Sequence, residues 1–296
     1  MTTAGKTKLF TLLSDYPVTL PIKQGQVPSD LVEFEFADIK VANTGFKPMV
    51  REAKFDAGEL AIVTYLQAKS FNKPYVLLPA LVVARAQHHT IAYNSERGEL
   101  KPSDLAGKRV GVRAYSVTTG VWVRGILEQQ YKVDLDKVRW VTFEDPHVAE
   151  YTDPSFVERA PAGKNMAQML LDGELDAAVV GDKLPDPRLK TLIPDAETAA
   201  KAWDAEHGDP INHMLVVRSE ISKTRPDVVR EVFRIFKEGR DIAIRAGNKN
   251  AAKLHYGVEA NRQALESVID ITYRQKLIPR RYSVDELFDD TTRALV

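Results

Sequence analysis

Along the chain, apolar residues first recur in short strand-like runs and then, toward the C-terminal end, at helical spacing. Residues 7–13 (TKLFTLL) and 31–36 (LVEFEF) read as strands. Residues 50–55 read as a helix, followed by a turn and then FDAGELAIVTYLQ, a second helix entered from a short apolar strand. The densest apolar run, KPYVLLPALVVARAQHHTIAYN, combines β-branched and aromatic residues with two prolines and predicts broken, buried strands that cross between lobes. LAGKRVGVRAYSVTTGVWVRGIL, from Leu105, predicts a turn, a strand near Arg109–Arg113, a loop and a helix opening near Thr118. A second such unit follows: a strand over Lys137–Phe143, a short helix over Ala167–Asp172 ended by Gly173, and a buried strand over Leu175–Asp182. Tyr151–Gly163 reads as a long loop, and residues 211–217 (INHMLVV) as one more strand.

Beyond that strand the pattern is helical. Thr224 and Asp227 offer an N-terminal cap around Pro226, and Val228, Val229, Val232, Phe233 and Phe236 form one face. Asn261–Lys276 is a second amphipathic helix, stopped before Pro279. No internal repeat or low-complexity tract interrupts this order. It predicts an α/β protein of two lobes, with the ligand in a cleft between them: residues 1–90 and 211–296 in lobe I, residues 91–210 in lobe II.

Composition narrows the functional classes. Of 296 residues, 41 are Lys or Arg and 41 are Asp or Glu, so the formal charge is zero and offers no electrostatic grip on nucleic acid or an anionic membrane. The longest uncharged stretch, Pro74–Ala84, is far short of the roughly 20 apolar residues that span a bilayer. The absence of cysteine removes disulfides, thiolate metal sites and cysteine nucleophiles. MTTAGKTKLFTLLSDYPVTLPI has a short apolar run broken by Asp15 and Pro17 and no cleavage pattern, so the expected location is cytoplasmic, or periplasmic if an upstream signal peptide was removed.

Candidate chemistry gathers at strand ends. Tyr115, Ser116, Val117, Thr118, Thr119 and Gly120 lie between a strand and a helix, where amides and hydroxyls meet an anion; the competing reading is an ordinary loop with Thr118 as N-cap. Of six histidines, His88 and His89 are adjacent, and in an extended chain only one of them faces a ligand. A histidine near neutral pKa can donate a proton to carbon. A hydrogen-bonded structural role competes for each. His213 and His147 are further candidates, whereas His207 and His255 lie in polar contexts and receive no role. Arg51, Arg85, Arg113 and Arg124 lie near predicted element ends, where a guanidinium fork matches a carboxylate and a surface ion pair is the alternative. His88, His89, His147, Glu144 and Asp182 do not have the spacing of a metal motif, so no metal is expected, although a divalent ion is not excluded. The dinucleotide, Walker and nucleophile-elbow motifs are missing.

Three segments together carry a family resemblance: GKRVGVRAYSVTTGVWVRGILEQQYKVDLDKVRWVTFED, PAGKNMAQMLLDGELDAAVVGD and RRYSVDELF, with FDAGELAIVTYL and PINHMLVVR in the expected order. The chain resembles the 4,5-dihydroxyphthalate decarboxylase family over nearly its whole length. The resemblance implies the two-lobed fold of type 2 periplasmic solute-binding proteins and decarboxylation of 4,5-dihydroxyphthalate to protocatechuate without an organic cofactor. It further implies a cleft containing Thr64, Tyr65, Arg85, His88, His89, Tyr115, Thr118, Thr119, Trp122, Gly181, Asp182 and His213. Where family members carry R-x-F-R-H, this chain has Arg85-Ala86-Gln87-His88-His89. Losing a cationic fork there favours a related hydroxylated aromatic acid over the doubly anionic phthalate, and leaves His89 in place.

Two functions fit these features. One is a cofactor-independent decarboxylase of a dihydroxylated aromatic acid, with His89 or His213 as acid, Asp182 as a further catalytic residue, Arg85 and Arg113 as carboxylate clamp, and the Thr118–Thr119 amides as a second anion site. The other is a solute-binding protein for an aromatic carboxylate, using the same groups without chemistry. Either has a small aromatic carboxylate as partner, with no nucleic acid and no membrane, and homo-oligomerisation is left open.

Overall fold

The computed structural model describes residues 5–296. In chain order the elements are β1 (Thr7–Leu12), α1 (Leu20–Lys23), β2 (Val32–Phe36), α2 (Phe46–Glu52), β3 (Ala57–Ala61), α3 (Ile62–Ser70), β4 (Tyr75–Ala84), β5 (Ile91–Asn94), β6 (Arg109–Val112), α4 (Thr118–Gln129) and β7 (Arg139–Thr142). They continue with β8 (Glu158–Arg159), α5 (Met166–Asp172), β9 (Ala177–Val179), β10 (Leu189–Thr191), α6 (Ala196–His207), β11 (Ile211–Arg218), α7 (Ser219–Thr224), α8 (Pro226–Arg245), α9 (Val258–Arg274) and α10 (Asp290–Arg293).

Two compact units result. The first comprises the residues up to Ala84 together with Ile211–Ile269 and Ile278–Val296; the second comprises Arg85–Pro210 and Asp270–Leu277. The division at Pro210–Ile211 coincides with that expected from sequence, whereas the first division lies after Ala84 rather than after residue 90 and residues 270–277 leave the first unit. The β4–β11 ladder that holds the first unit ends at the pair Ala84 and Ile211, so the next residue, Arg85, already belongs to the second. Residues 270–277 also go with the second unit, where Ile271 packs on Gly125 and Gln275 bonds Arg124 and the carbonyl of Val121.

The first unit is built on a five-stranded sheet in the order β2-β1-β3-β11-β4. β1 runs parallel to β2 and β3, and β11 runs antiparallel to β3 and β4. Leu9, Leu13, Val76, Leu78, Leu215 and Val217 from the sheet pack with Val228, Val232, Phe233 and Phe236 of α8. Burying each of these side chains contributes about 1.5–3 kcal/mol. The expected apolar face of α8 is therefore its packed face, but its cap differs. Arg225 is the N-cap, Thr224 ends α7 by donating to the Glu220 carbonyl, and Asp227 pairs with the Arg225 side chain.

The second unit carries a six-stranded sheet in the order β10-β5-β9-β6-β7-β8. Ala92, Val141, Met169, Leu170, Leu175, Ala178 and Leu189 form one core of this unit. Trp122, Trp140 and Trp203 are also buried in it. In this unit β8, α6 and the three-residue β10 escaped the sequence reading. β8 is two residues long inside the expected loop, and α6 buries only Ala200 and Trp203, too few apolar positions to announce a helix. Among the described residues no helix is long and apolar enough to cross a membrane.

Candidate functional site

In the first unit, Glu59 lies at the middle of β3 and is 0% exposed. Its position follows from the strand register: Glu59 pairs with Leu215 and Ala61 with His213, so Glu59 and His213 are diagonal neighbours on one face. His213 Nδ1 lies 2.6 Å from Glu59 Oε2, within hydrogen-bond distance. Tyr16 donates its hydroxyl to the same oxygen at 3.1 Å, and the Ser14 backbone N–H donates to Oε1 at 2.7 Å. The loop holding these donors is itself tied: the Thr19 hydroxyl donates to the Ser14 carbonyl and accepts from the Tyr16 N–H. Phe46 meets the His213 ring edge-on at 5.2 Å between centroids. The His213 side chain is 19% exposed.

A partly exposed imidazole with one nitrogen held by a buried carboxylate is an arrangement for proton transfer. His213 was singled out from sequence, whereas Glu59 was not. The available signal was a lone carboxylate within the apolar run AGELAIVTYLQA, which burial makes costly unless it is satisfied.

In the second unit, Asp182 ion-pairs with Arg85 through Oδ2 and accepts from His89 Nε2 at 3.2 Å through Oδ1. The three predicted residues are thus brought together, with side chains 35%, 40% and 49% exposed for Arg85, His89 and Asp182. Burial and then the Arg85 charge lower the His89 pKa below its ordinary 6.5. Gly181, with φ +91°, turns the chain into Asp182 and donates its N–H to the Thr90 carbonyl.

Residues 88–90 form a 3₁₀ turn rather than an extended segment, yet still separate the two histidines. His88 is 0% exposed and donates through Nε2 to Gln130 Oε1 at 2.8 Å, while Gln130 donates to the Ala199 carbonyl. It also packs edge-on to Trp203. This corrects the substrate-binding expectation for His88, which braces the unit. Gln87 is likewise buried and donates to the Arg85 carbonyl, so the positions that depart from the family's motif shape the turn beneath His89.

Three further expectations change in the same way. Tyr65 is buried with its hydroxyl donating to the Leu287 carbonyl at 2.6 Å, and Thr64 beside it is also buried. Trp122 is buried edge-on to Trp203. Thr118 is the first residue of α4 and not its cap; Val117 is the N-cap, and Thr119 lies half-buried within the first turn. Arg113 directly follows β6 and pairs with Glu144 at 3.1 Å. Tyr115 lines a cavity of about 180 Å³ with Phe156, Gln275, Arg274 and Lys276, its ring stacked on the Arg124 guanidinium at 3.9 Å. Arg124, read from sequence as lying near an element end, is fully buried, donating to Gln275 Oε1 and the Tyr115 carbonyl. Among the described residues no group of three His, Cys, Asp or Glu side chains is placed to hold a metal ion.

Comparison with solved structures agrees with this architecture. The alkanesulfonate-binding protein of Xanthomonas axonopodis pv. citri, bound to MOPS, aligns with a TM-score of 0.60 at 13% identity over 97% of this chain and 99% of that one. The likeness shows a two-lobed, periplasmic-binding-protein-like fold. No protein-family model matches the chain. Two curated relatives do: the 4,5-dihydroxyphthalate decarboxylase of Comamonas testosteroni is 29% identical over 84% of this chain and 80% of its own length. That of Pseudomonas putida is 30% identical over 67% of this chain and 82% of its own length. Likeness at this level, over most of each relative, makes the chain a member of the 4,5-dihydroxyphthalate decarboxylase family.

Proposed function

We propose that the protein is a carboxy-lyase that converts 4,5-dihydroxyphthalate to protocatechuate and carbon dioxide. The observation that carries this reading is membership of a family whose two curated relatives bear that activity in their names. Replacing the carboxyl group by hydrogen requires protonation of the ring carbon while a ring hydroxyl para to it accepts the electron pair as a ketone. His213, held at Nδ1 by Glu59 and partly exposed, is suited to taking up and returning the proton of that hydroxyl. Arg85 and Arg113 are suited to meeting carboxylates because each already holds one, on Asp182 and Glu144. The reading takes no organic cofactor and no metal, and places the reaction in the cytoplasm.

The test is incubation of the purified protein with 4,5-dihydroxyphthalate and with several hydroxylated benzoates, with and without chelator, following carbon dioxide and product by chromatography. Turnover of the phthalate supports the reading, and turnover of a benzoate alone moves the substrate. Loss of activity in chelator brings in a metal. Tight binding without turnover replaces the reading with solute binding, as does recovery of the protein from the periplasm of fractionated cells.

A further inference from the structure

We propose that Glu59 is the positioning residue for His213, holding its Nδ1–H so that Nε2 is the nitrogen that exchanges a proton with the substrate's ring hydroxyl. The chemistry rests on the decarboxylase reading, whereas the geometry stands without it.

A carboxylate with no exposure is costly to bury unless its oxygens are occupied, and Glu59 has three donors on two oxygens. Ser14 and Tyr16 hold the carboxylate in place from the β1–α1 side, so its second oxygen is presented to His213 in one orientation. A purely structural carboxylate has no need of a partner on the solvent-facing rim. His213 is such a partner, with its ring fixed against Phe46 and its side chain partly open.

With Nδ1 held by Glu59, a neutral His213 has its lone pair on Nε2. Nε2 takes the hydroxyl proton as that oxygen becomes a carbonyl and the ring carbon bearing the carboxylate takes a proton derived from water. The carbon–carbon bond then breaks, its electron pair restores the aromatic ring, carbon dioxide leaves, and the oxygen recovers its proton from Nε2–H. The sum is RCO₂⁻ + H⁺ → RH + CO₂, with His213 returned to its starting form.

Glu59→Gln separates this role from packing. The Ser14 N–H requires an acceptor at the Oε1 position, so the amide oxygen settles there and the NH₂ faces His213. That NH₂ donates to Nδ1 and moves the ring proton to Nε2, the wrong tautomer for accepting a proton, as in the loss of activity on amidating a catalytic-triad carboxylate.

The experiment is long-range ¹H–¹⁵N correlation of the imidazoles in the full ¹⁵N-labelled protein at a pH where the ring is neutral, with His213→Asn to assign the signal, beside steady-state kinetics. Expected are a protonated Nδ1 and bare Nε2 in the native protein, the reverse in Glu59→Gln, and a fall in kcat of about 100-fold or more with KM changed less than about threefold. A bare Nδ1 in the native protein overturns the proposal, as does native kcat in a folded Glu59→Gln. If the native protein turns nothing over, the decarboxylase reading fails and the native tautomer alone decides the role of Glu59; it also decides if Glu59→Gln does not fold.

Discussion

Glu59 and His213 stand 154 residues apart in sequence and 2.6 Å apart in space, joined because β3 and β11 are adjacent antiparallel strands. Diagonal neighbours on one sheet face lie within reach of long side chains, so the contact follows from the register alone. His213→Asn keeps a short polar side chain on the strand but removes the exchanging nitrogen. Steady-state turnover of 4,5-dihydroxyphthalate is expected to fall by about 100-fold or more. Native turnover in a variant with native circular dichroism takes His213 out of the reaction.

His89 titrates below 6.5 because it is partly buried and because Arg85 lies beside it. Removing that positive charge in Arg85→Gln leaves Asp182 facing the ring. The His89 midpoint, read from the histidine C–H signals in an NMR titration, is therefore expected to rise. A midpoint that stays put or drops would separate the Arg85 charge from the His89 environment.

Acid should weaken the fold below pH 6.5. Burial is the leading cause of lowered pKa values at His88, His89 and His207. At these positions the unfolded chain binds protons that the folded chain resists, so stability rises with pH across this window and falls as pH drops from 6.5 through the folded-state values. Thermal midpoints at pH 7.5 and 5.5 measure the loss. His88→Gln, which cannot titrate, should reduce the difference between them, and an equal loss in that variant would clear His88 of any part in it.

Gly58 sets the position of Glu59. Its φ is +153°, and a Cβ added there would stand 2.4 Å from the Leu12 carbonyl oxygen on the neighbouring strand β1. Backbone cannot yield as a side chain can, so Gly58→Ala is expected to cost about 3 kcal/mol. The lowered urea midpoint should come with lowered turnover, because β3 must shift and carries Glu59 with it. A native midpoint would show that β1 and β3 have room to part.

Much of the secondary structure was legible because it is written in local periodicity. The apolar face of α8, the buried runs of β4 and β11 and the glycine that ends α5 each reflect neighbours a few residues away. The lone helix α6 shows the limit, since its packing rests on Trp203 and Ala200 rather than on a repeating stripe.

The amino-acid sequence by itself determined the two α/β lobes, the family resemblance and the strand in which His213 stands. Tertiary structure decided which polar groups meet. His88 and His89 are adjacent and chemically identical, but a 3₁₀ turn sends one onto Gln130 and the other onto Asp182. Arg124 reads as a cation near an element end until packing buries it between Tyr115 and Trp140. Glu59 reads as an interruption in an apolar strand until β11 arrives beside it. Periodicity records which face of an element is buried, and a lone polar residue adds nothing to that pattern. Its partner is set by the register between strands distant in sequence.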